Sequence, residues 1–327
     1  MRILYLVATV VAIGLLTSAP TYSADRIAYG STATKSVHYT YAVSATKAIN
    51  TISGDKVNVT LISTGGSVDN LARIARGQIQ MGMVSSSTLF QAYKGLGKFK
   101  GKALPDLRSL WIHSPAIQAW VVREDSGITK LEDLEGKVFT PGQRGSATEQ
   151  LAQQILEVLG IKPKYFRATL GDAVAAVKDG RNNGYVKAGS ANSLDGTTLE
   201  LKALTPIRLL GFNEGQINKI KKKFPFIGFK TYADGEIQGV PAITTPVQVV
   251  GQFTTKSAMT DGQVQAILKG IIDGKNIQAA AFPGIKALNI AKDSLAVLTV
   301  PLHSGAVKFY KSRGFDVPSH LIPPEYN

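Results

Sequence analysis

Beyond its first two dozen residues the chain alternates short apolar runs with longer segments whose apolar residues recur every three or four positions. Ile27-Ala28-Tyr29 predicts a strand that stops at Gly30, with Tyr41 to Ile52 as the helix after it. Val57 to Ile62 predicts a second strand, ended by Ser63-Thr64-Gly65-Gly66. Ser67 is placed to cap a helix from Val68 to Arg76, which presents Leu71, Ile74 and Ala75 on one face. Met81 to Val84 is a third strand, followed by Ser85-Ser86-Ser87 and a helix through Leu89, Phe90 and Tyr93. Further on, Val138-Phe139-Thr140 is a short strand, and Ser146 opens a long helix that ends at Leu159-Gly160. A second alternating set follows through Gly184-Tyr185-Val186, Leu194 to Leu204, Ile207 to Leu210 and Glu214 to Phe224. The tail is helical in three pieces, the last from Ser304 to Ser312. Strands separated by helical segments of about ten to fifteen residues indicate an α/β fold with parallel, doubly wound sheets.

Two stretches break this rhythm. Leu107 to Trp111 and Ala119 to Val122 read as two strands, and Thr244 to Phe253 as an extended crossover. The expectation is a fold of the periplasmic-binding-protein type II kind, with two doubly wound lobes joined by extended crossover strands. Residues 25–118 and 249–327 would form the first lobe and residues 119–248 the second. In open sheets of this kind ligands bind beyond the carboxyl ends of the strands, so the cleft between two such lobes is the expected site.

Composition narrows the chemistry. The chain has 327 residues, 44% hydrophobic and 18% charged, which is enough to build two globular lobes. There is no cysteine, which removes disulfides, thiol nucleophiles and thiolate metal sites. Four histidines (His38, His113, His303, His320) are too scattered in sequence to spell a local metal motif, and no cofactor is expected. At the start, Arg2 precedes an apolar run from Ile3 to Leu16 and then a small, polar stretch ending at Ala24. The run is shorter than the ~20 residues a membrane span needs. Residues 1–24 therefore read as a secretory signal peptide, cut after Ala24 or after Ser23, with a retained anchor as the alternative. The formal net charge is +14. Its one dense run, Lys219 to Lys223, reads as a solvated helix end; nucleic acid is not an expected partner, whereas diffuse positive charge draws small anions toward a cleft.

Catalytic templates fit poorly. Ser44-Ala45-Thr46-Lys47 matches the S-x-x-K motif of serine β-lactamases, with Ser190-Ala191-Asn192 as an S-x-N. The third element fails, because Lys230-Thr231 and Lys256-Ser257 lack the glycine that should follow. A serine hydrolase using Ser44 and Lys47 is thus only a remote alternative. Gly95 to Ala103 resembles a phosphate loop but has the wrong spacing and Ala103 in place of Ser or Thr. What remains is a repeated polar signature at strand ends: Gly30-Ser31-Thr32, Ser63 to Ser67, Ser85 to Ser87, and Gly145-Ser146-Ala147-Thr148-Glu149. Each leads toward a helix, whose first N–H groups are unpaired and positively polarised. These hydroxyls are either ordinary N-caps or, converging on one cleft, a pocket for an anion. The set offers donors without a nucleophile-and-base pair, which favours binding over turnover.

Several of these segments carry a resemblance. Ser63 to Asn70, Val122 to Ile128 with Leu131 to Lys137, Gly145 to Glu149, Pro301 to Ala306 and Leu321 to Tyr326 together resemble the TAXI family of solute receptors, which serve TRAP transporters. The resemblance implies a monomeric, periplasmic protein that delivers a small organic anion to fused TRAP membrane subunits. Glutamate-like amino acids and 2-oxo dicarboxylates are the family's usual solutes. A receptor for an ATP-driven importer, or a sensing partner of a signalling receptor, is the alternative. The chain departs from the family where Lys35 to Thr40 replaces a Gly-Gly-Thr-Tyr-Tyr-Pro-like run, leaving Tyr39 with His38 beside it. It departs again at Ser87, where an acidic residue is frequent, and at Lys187, which is either a counter-charge for a carboxylate or a surface lysine. The candidate ligand residues are Ser31, Thr32, Ser63, Thr64, Gly65, Ser67, Ser85 and Ser86 from the first lobe. Ser146, Thr148, Lys187 and Asn192 would come from the second, with Tyr39 or Trp120 packing on the carbon skeleton.

Overall fold

The computed structural model describes residues 25–190 and 193–326. The leader reading and Asn192 lie outside them. The chain runs β1 (Asp25–Gly30), α1 (Val37–Ser53), β2 (Val57–Ile62), α2 (Ser67–Ala75), β3 (Met81–Ser85), α3 (Ser86–Lys94) and β4 (Leu107–Arg123). It continues through β5 (Val138–Phe139), α4 (Ala147–Leu159), β6 (Lys164–Tyr165), α5 (Leu170–Lys178), β7 (Gly184–Ala188), α6 (Gly196–Leu204), β8 (Ile207–Leu209) and α7 (Glu214–Lys223). Last come β9 (Gly228–Tyr232), β10 (Ile243–Thr255), α8 (Asp261–Asp273), α9 (Lys275–Ala281), α10 (Ile290–Val297) and α11 (Ser304–Ser312).

The main sheet is ordered β2-β1-β3-β10-β4-β7, with β8 also on β4 and β9 on β10. The expected parallel pairing holds for β1 with β2 and β3. The returning strand β10 runs antiparallel to both β3 and β4. In the second half, β5 pairs with β6 and abuts β7 through Thr140 and Tyr185.

The two strands expected around Ala116 are one. β4 runs unbroken for 17 residues through Pro115, because that proline occupies an exposed position and the ladder to β10 absorbs the irregularity in a shifted register. Buried at almost every position, β4 serves two interiors. Leu110, Trp111, Ile112 and Ala116 join Tyr41, Ile49, Ile267 and Tyr310 in one core. Trp120 and Val122 join Phe139, Leu151 and Ile155 in another. With β10, it forms the double crossover between the lobes.

Helix starts are set by side chains. Ser36 caps α1, accepting from the His38 N–H, so the helix begins four residues before the sequence pattern suggests. Ser146 caps α4 at the Glu149 N–H, and Gly160 ends it in the left-handed region at φ +74°. The chain's end fastens back on the first lobe: buried Arg108 forms a two-pronged pair with Glu325 at 2.6 and 2.7 Å.

Candidate functional site

Three helices (α2, α3 and α4) begin where the lobes face one another. Their first turns, with the start of α1 and the end of β7, enclose a narrow inner hollow of about 60 Å³. From the first lobe it is lined by Thr32, Ser36, His38, Gly65, Ser67 and Ser85. From the second come Gln143, Ser146, Thr148 and Lys187, with Gln248 on the crossover strand β10. Gly65 and Gln143 also line a wider mouth of about 970 Å³, where Lys35, Arg144 and Arg167 outnumber Asp172.

Lys187 sits on β7 and is the hollow's one cation among the described residues. It is half-buried, and its Nζ donates to Ser36 Oγ across the cleft at 3.5 Å. No described carboxylate reaches ion-pair distance of it. Burial lowers its pKa, and the more distant Asp195 opposes that shift. Asp195 is itself committed to the start of α6, accepting from the Thr197 and Thr198 N–H groups. A buried charge without a partner is costly, so this ammonium is poised to favour an anion beside it.

The lobes touch through polar groups. Gly145 of the second lobe accepts from the Val68 and Asp69 N–H groups at the start of α2, at 3.0 and 3.2 Å. Gln150 accepts from Thr88 and donates to Gln91, which also accepts from Gln154 at 2.7 Å. Closeness here requires a glycine: a Cβ on Gly65 would lie 2.9 Å from the Arg144 carbonyl oxygen. Gly66, the N-cap of α2, has φ +102°, a conformation that side chains rarely adopt.

Of the residues proposed from sequence, Thr32, Gly65, Ser67, Ser85, Ser146, Thr148 and Lys187 come together around the hollow. Ser63 and Thr64 line the mouth instead, their hydroxyls donating to the Thr32 and Ser31 carbonyls. Ser31 is fully buried with its hydroxyl on the Ile62 carbonyl, and it lines neither space. Ser86 lines a separate apolar cleft with Phe90 and Phe226. Tyr39 is half-buried in the first turn of α1 and lines neither the hollow nor the mouth.

Trp120 requires a correction. It is fully buried between Phe139 and Phe212, inside the second lobe, because β4 is covered on both faces there. Ser67 is not the cap of α2 either: its hydroxyl accepts from the Ser85 N–H, tying two strand-end loops together. The S-x-x-K pair is split, with Ser44 buried and donating to the Tyr41 carbonyl while Lys47 is exposed. Among the described residues no group of three or more His, Asp or Glu gathers to hold a metal.

Sequence reasoning missed Ser36, His38, Gln143 and Gln248. The Ser36 cap is the signal that could have found His38, since it moves the helix start back and puts His38 in a buried first turn.

Two lobes, a pair of shared crossover strands and a cleft lined by helix starts define the periplasmic-binding-protein fold, and solved structures agree. A protein of Bordetella bronchiseptica RB50 is similar at 13% identity and TM-score 0.54, over 93% of this chain and 92% of that one. The periplasmic binding protein BugD is similar at 12% identity and TM-score 0.52, over 80% and 87%. XAC2383 from Xanthomonas citri, solved bound to a chloride ion, matches at 10% identity and TM-score 0.50, over 80% and 88%. The chain itself belongs to the NMT1-like family, whose model matches residues 27–314.

Proposed function

We propose that this protein is an extracytoplasmic solute receptor that captures a small organic anion between its lobes without transforming it. The observation that carries the reading is Lys187: an ammonium without an ion-pair partner, in a hollow that three helix starts surround. An anion there would be contacted from both lobes and so would favour the closed form. A near-complete switch needs a preference of ~5.5 kcal/mol for that form. The hollow is smaller than the ~300–1,000 Å³ of ordinary ligand pockets. A solute of several carbons would therefore enter as the lobes part and extend past Gly65 and Gln143 toward the basic mouth. A dicarboxylate, 2-oxo acid or glutamate-like solute has a charged group for each end. A periplasmic binding protein (BugD) and a chloride-bound protein among the similar structures support the class of this reading.

The division into residues 25–118 with 249–327 and residues 119–248 goes with the proposal, as does export by a leader at residues 1–24. Delivery to a TRAP permease rests on the TAXI resemblance, which is finer than the family assignment. Fused TRAP membrane subunits encoded beside this chain would support it, and an ATP-driven importer there would contradict it. For the solute, a melting-temperature screen over carboxylates, amino acids and sulfonates is the direct test. A ligand at 100 Kd adds ~2.7 kcal/mol, which is several degrees for a chain of this size. Stabilisation by sugars or metals but by no organic anion would overturn the proposal.

A further inference from the structure

His38 lines the inner hollow yet is 5% exposed, and its Nε2 has no hydrogen-bond partner in the protein. The rest of the ring is tightly held. Its Nδ1 lies 3.1 Å from His113 Nε2, and His113 Nδ1 lies 3.1 Å from Gln252 Nε2, which also donates to the Tyr29 hydroxyl. His113 is fully buried and stacked on Tyr41, with ring centres 3.9 Å apart and planes 7° from parallel. The two nitrogens of an imidazole point in nearly opposite directions. With Nδ1 turned to His113, Nε2 points away from that partner, on a ring that lines the hollow.

The direction of this chain of hydrogen bonds follows from the amide. As placed, both N–H bonds of Gln252 are used and only its carbonyl oxygen lacks a partner. The opposite orientation would strand the whole NH₂ group in the core, the costlier defect. Gln252 thus donates to His113 Nδ1, which leaves the His113 proton on Nε2. That proton is given to His38 Nδ1, and the His38 proton is left on Nε2. Burial lowers the pKa of both rings, that of His38 to about 3 with Lys187 adding to the effect, so both stay neutral. The charged or titratable groups around His38 are Lys187 on β7, His113 on β4 and Tyr41 on α1, with Asp195 behind Lys187.

We propose that His38 meets the bound anion as a fixed Nε2–H donor, its tautomer set from behind by Gln252 and His113. The hollow then takes a singly charged oxyanion head, a carboxylate or sulfonate, between a neutral imidazole and the Lys187 ammonium. A doubly charged head would leave one charge unmatched in a confined space. This rests on the anion reading above and deepens it.

Two measurements test it. In ¹⁵N-histidine-labelled protein with four histidines to assign, His38 shows a protonated Nε2 and a bare Nδ1, unchanged from about pH 5 to 8. A proton on Nδ1, or a ring that titrates in that range, overturns the proposal without any ligand being needed. The second measurement is the Kd for acetate, 2-oxoglutarate, glutamate and methanesulfonate. His38→Phe weakens the anion that binds by about tenfold or more, as loss of a charge-assisted hydrogen bond does. His38→Gln, which keeps an N–H near the same place, stays within about threefold of wild type. Binding lost in Lys187→Met but kept in His38→Phe contradicts this assignment alone. No binding of any of the four by wild type contradicts the anion reading and takes this assignment with it.

Discussion

The cleft has two parts that share Gly65 and Gln143 and differ in what their charges can do. The mouth is broad, and Lys35, Arg144 and Arg167 stand exposed around it, where water screens them. The inner hollow is narrow and, among the described residues, carries one cation, Lys187, beside a buried neutral imidazole and serine hydroxyls at the starts of α1, α2, α3 and α4. The mouth has more positive charge, but the hollow has the more consequential charge, because it is partly withdrawn from water and has no ion-pair partner among the described residues. On the proposed function, depth assigns the labour: the mouth would attract anions, and the hollow would recognise them.

Five perturbations probe the two parts. Lys187→Met has the largest expected effect, weakening a bound carboxylate on the order of 100-fold by equilibrium dialysis, as removal of a buried charge partner does. Lys35→Met at the mouth should cost less than about threefold; equal losses would erase the distinction.

Acid comes next. The folded pKa of His38 is about 3 and that of His113 is also lowered, whereas an unfolded histidine titrates near ~6.5. The unfolded chain therefore binds more protons below that value, and stability falls as pH drops from about 6.5 toward 3. His38 alone accounts for roughly 2 kcal/mol by pH 5. Denaturant titrations of wild type and His38→Gln should converge as pH falls, and parallel curves would contradict the buried neutral ring. The mouth lining contains no histidine.

Gly65→Ala addresses closure. Its φ is outside the left-handed region, so alanine is tolerated by the backbone, but the new Cβ meets the Arg144 carbonyl across the cleft. Affinity should fall about tenfold, with small-angle scattering showing that ligand no longer compacts the molecule. Unchanged compaction would mean the lobes close elsewhere. The double change Arg144→Gln/Arg167→Gln acts on the rate of capture. It slows association several-fold at low salt and flattens its salt dependence, while leaving the dissociation rate untouched in stopped-flow experiments.

Much of the hollow was legible because its parts obey local rules. Serines and threonines after strands signal helix starts, and Ser85, Ser146 and Thr148 duly arrive there on α3 and α4. Lys187 stood out as a departure from the TAXI resemblance. The failures are tertiary. Trp120 was read as a ligand platform because nothing local says that β4 is covered on both faces. Leu107 to Trp111 and Ala119 to Val122 were read as two strands, yet a single long strand runs through Pro115 at an exposed position. His38 depends on His113, 75 residues away, and on Gln252; only the Ser36 cap hinted at its buried place.

The most direct test of the central claim is calorimetric titration with a charged and neutral pair, 2-oxoglutarate and its dimethyl ester, extended to glutamate and methanesulfonate with neutral analogues. The account predicts that wild type binds at least one anion, ignores its neutral counterpart, and loses that binding in Lys187→Met. Equal affinity for the neutral partner, or full binding by Lys187→Met, would contradict it.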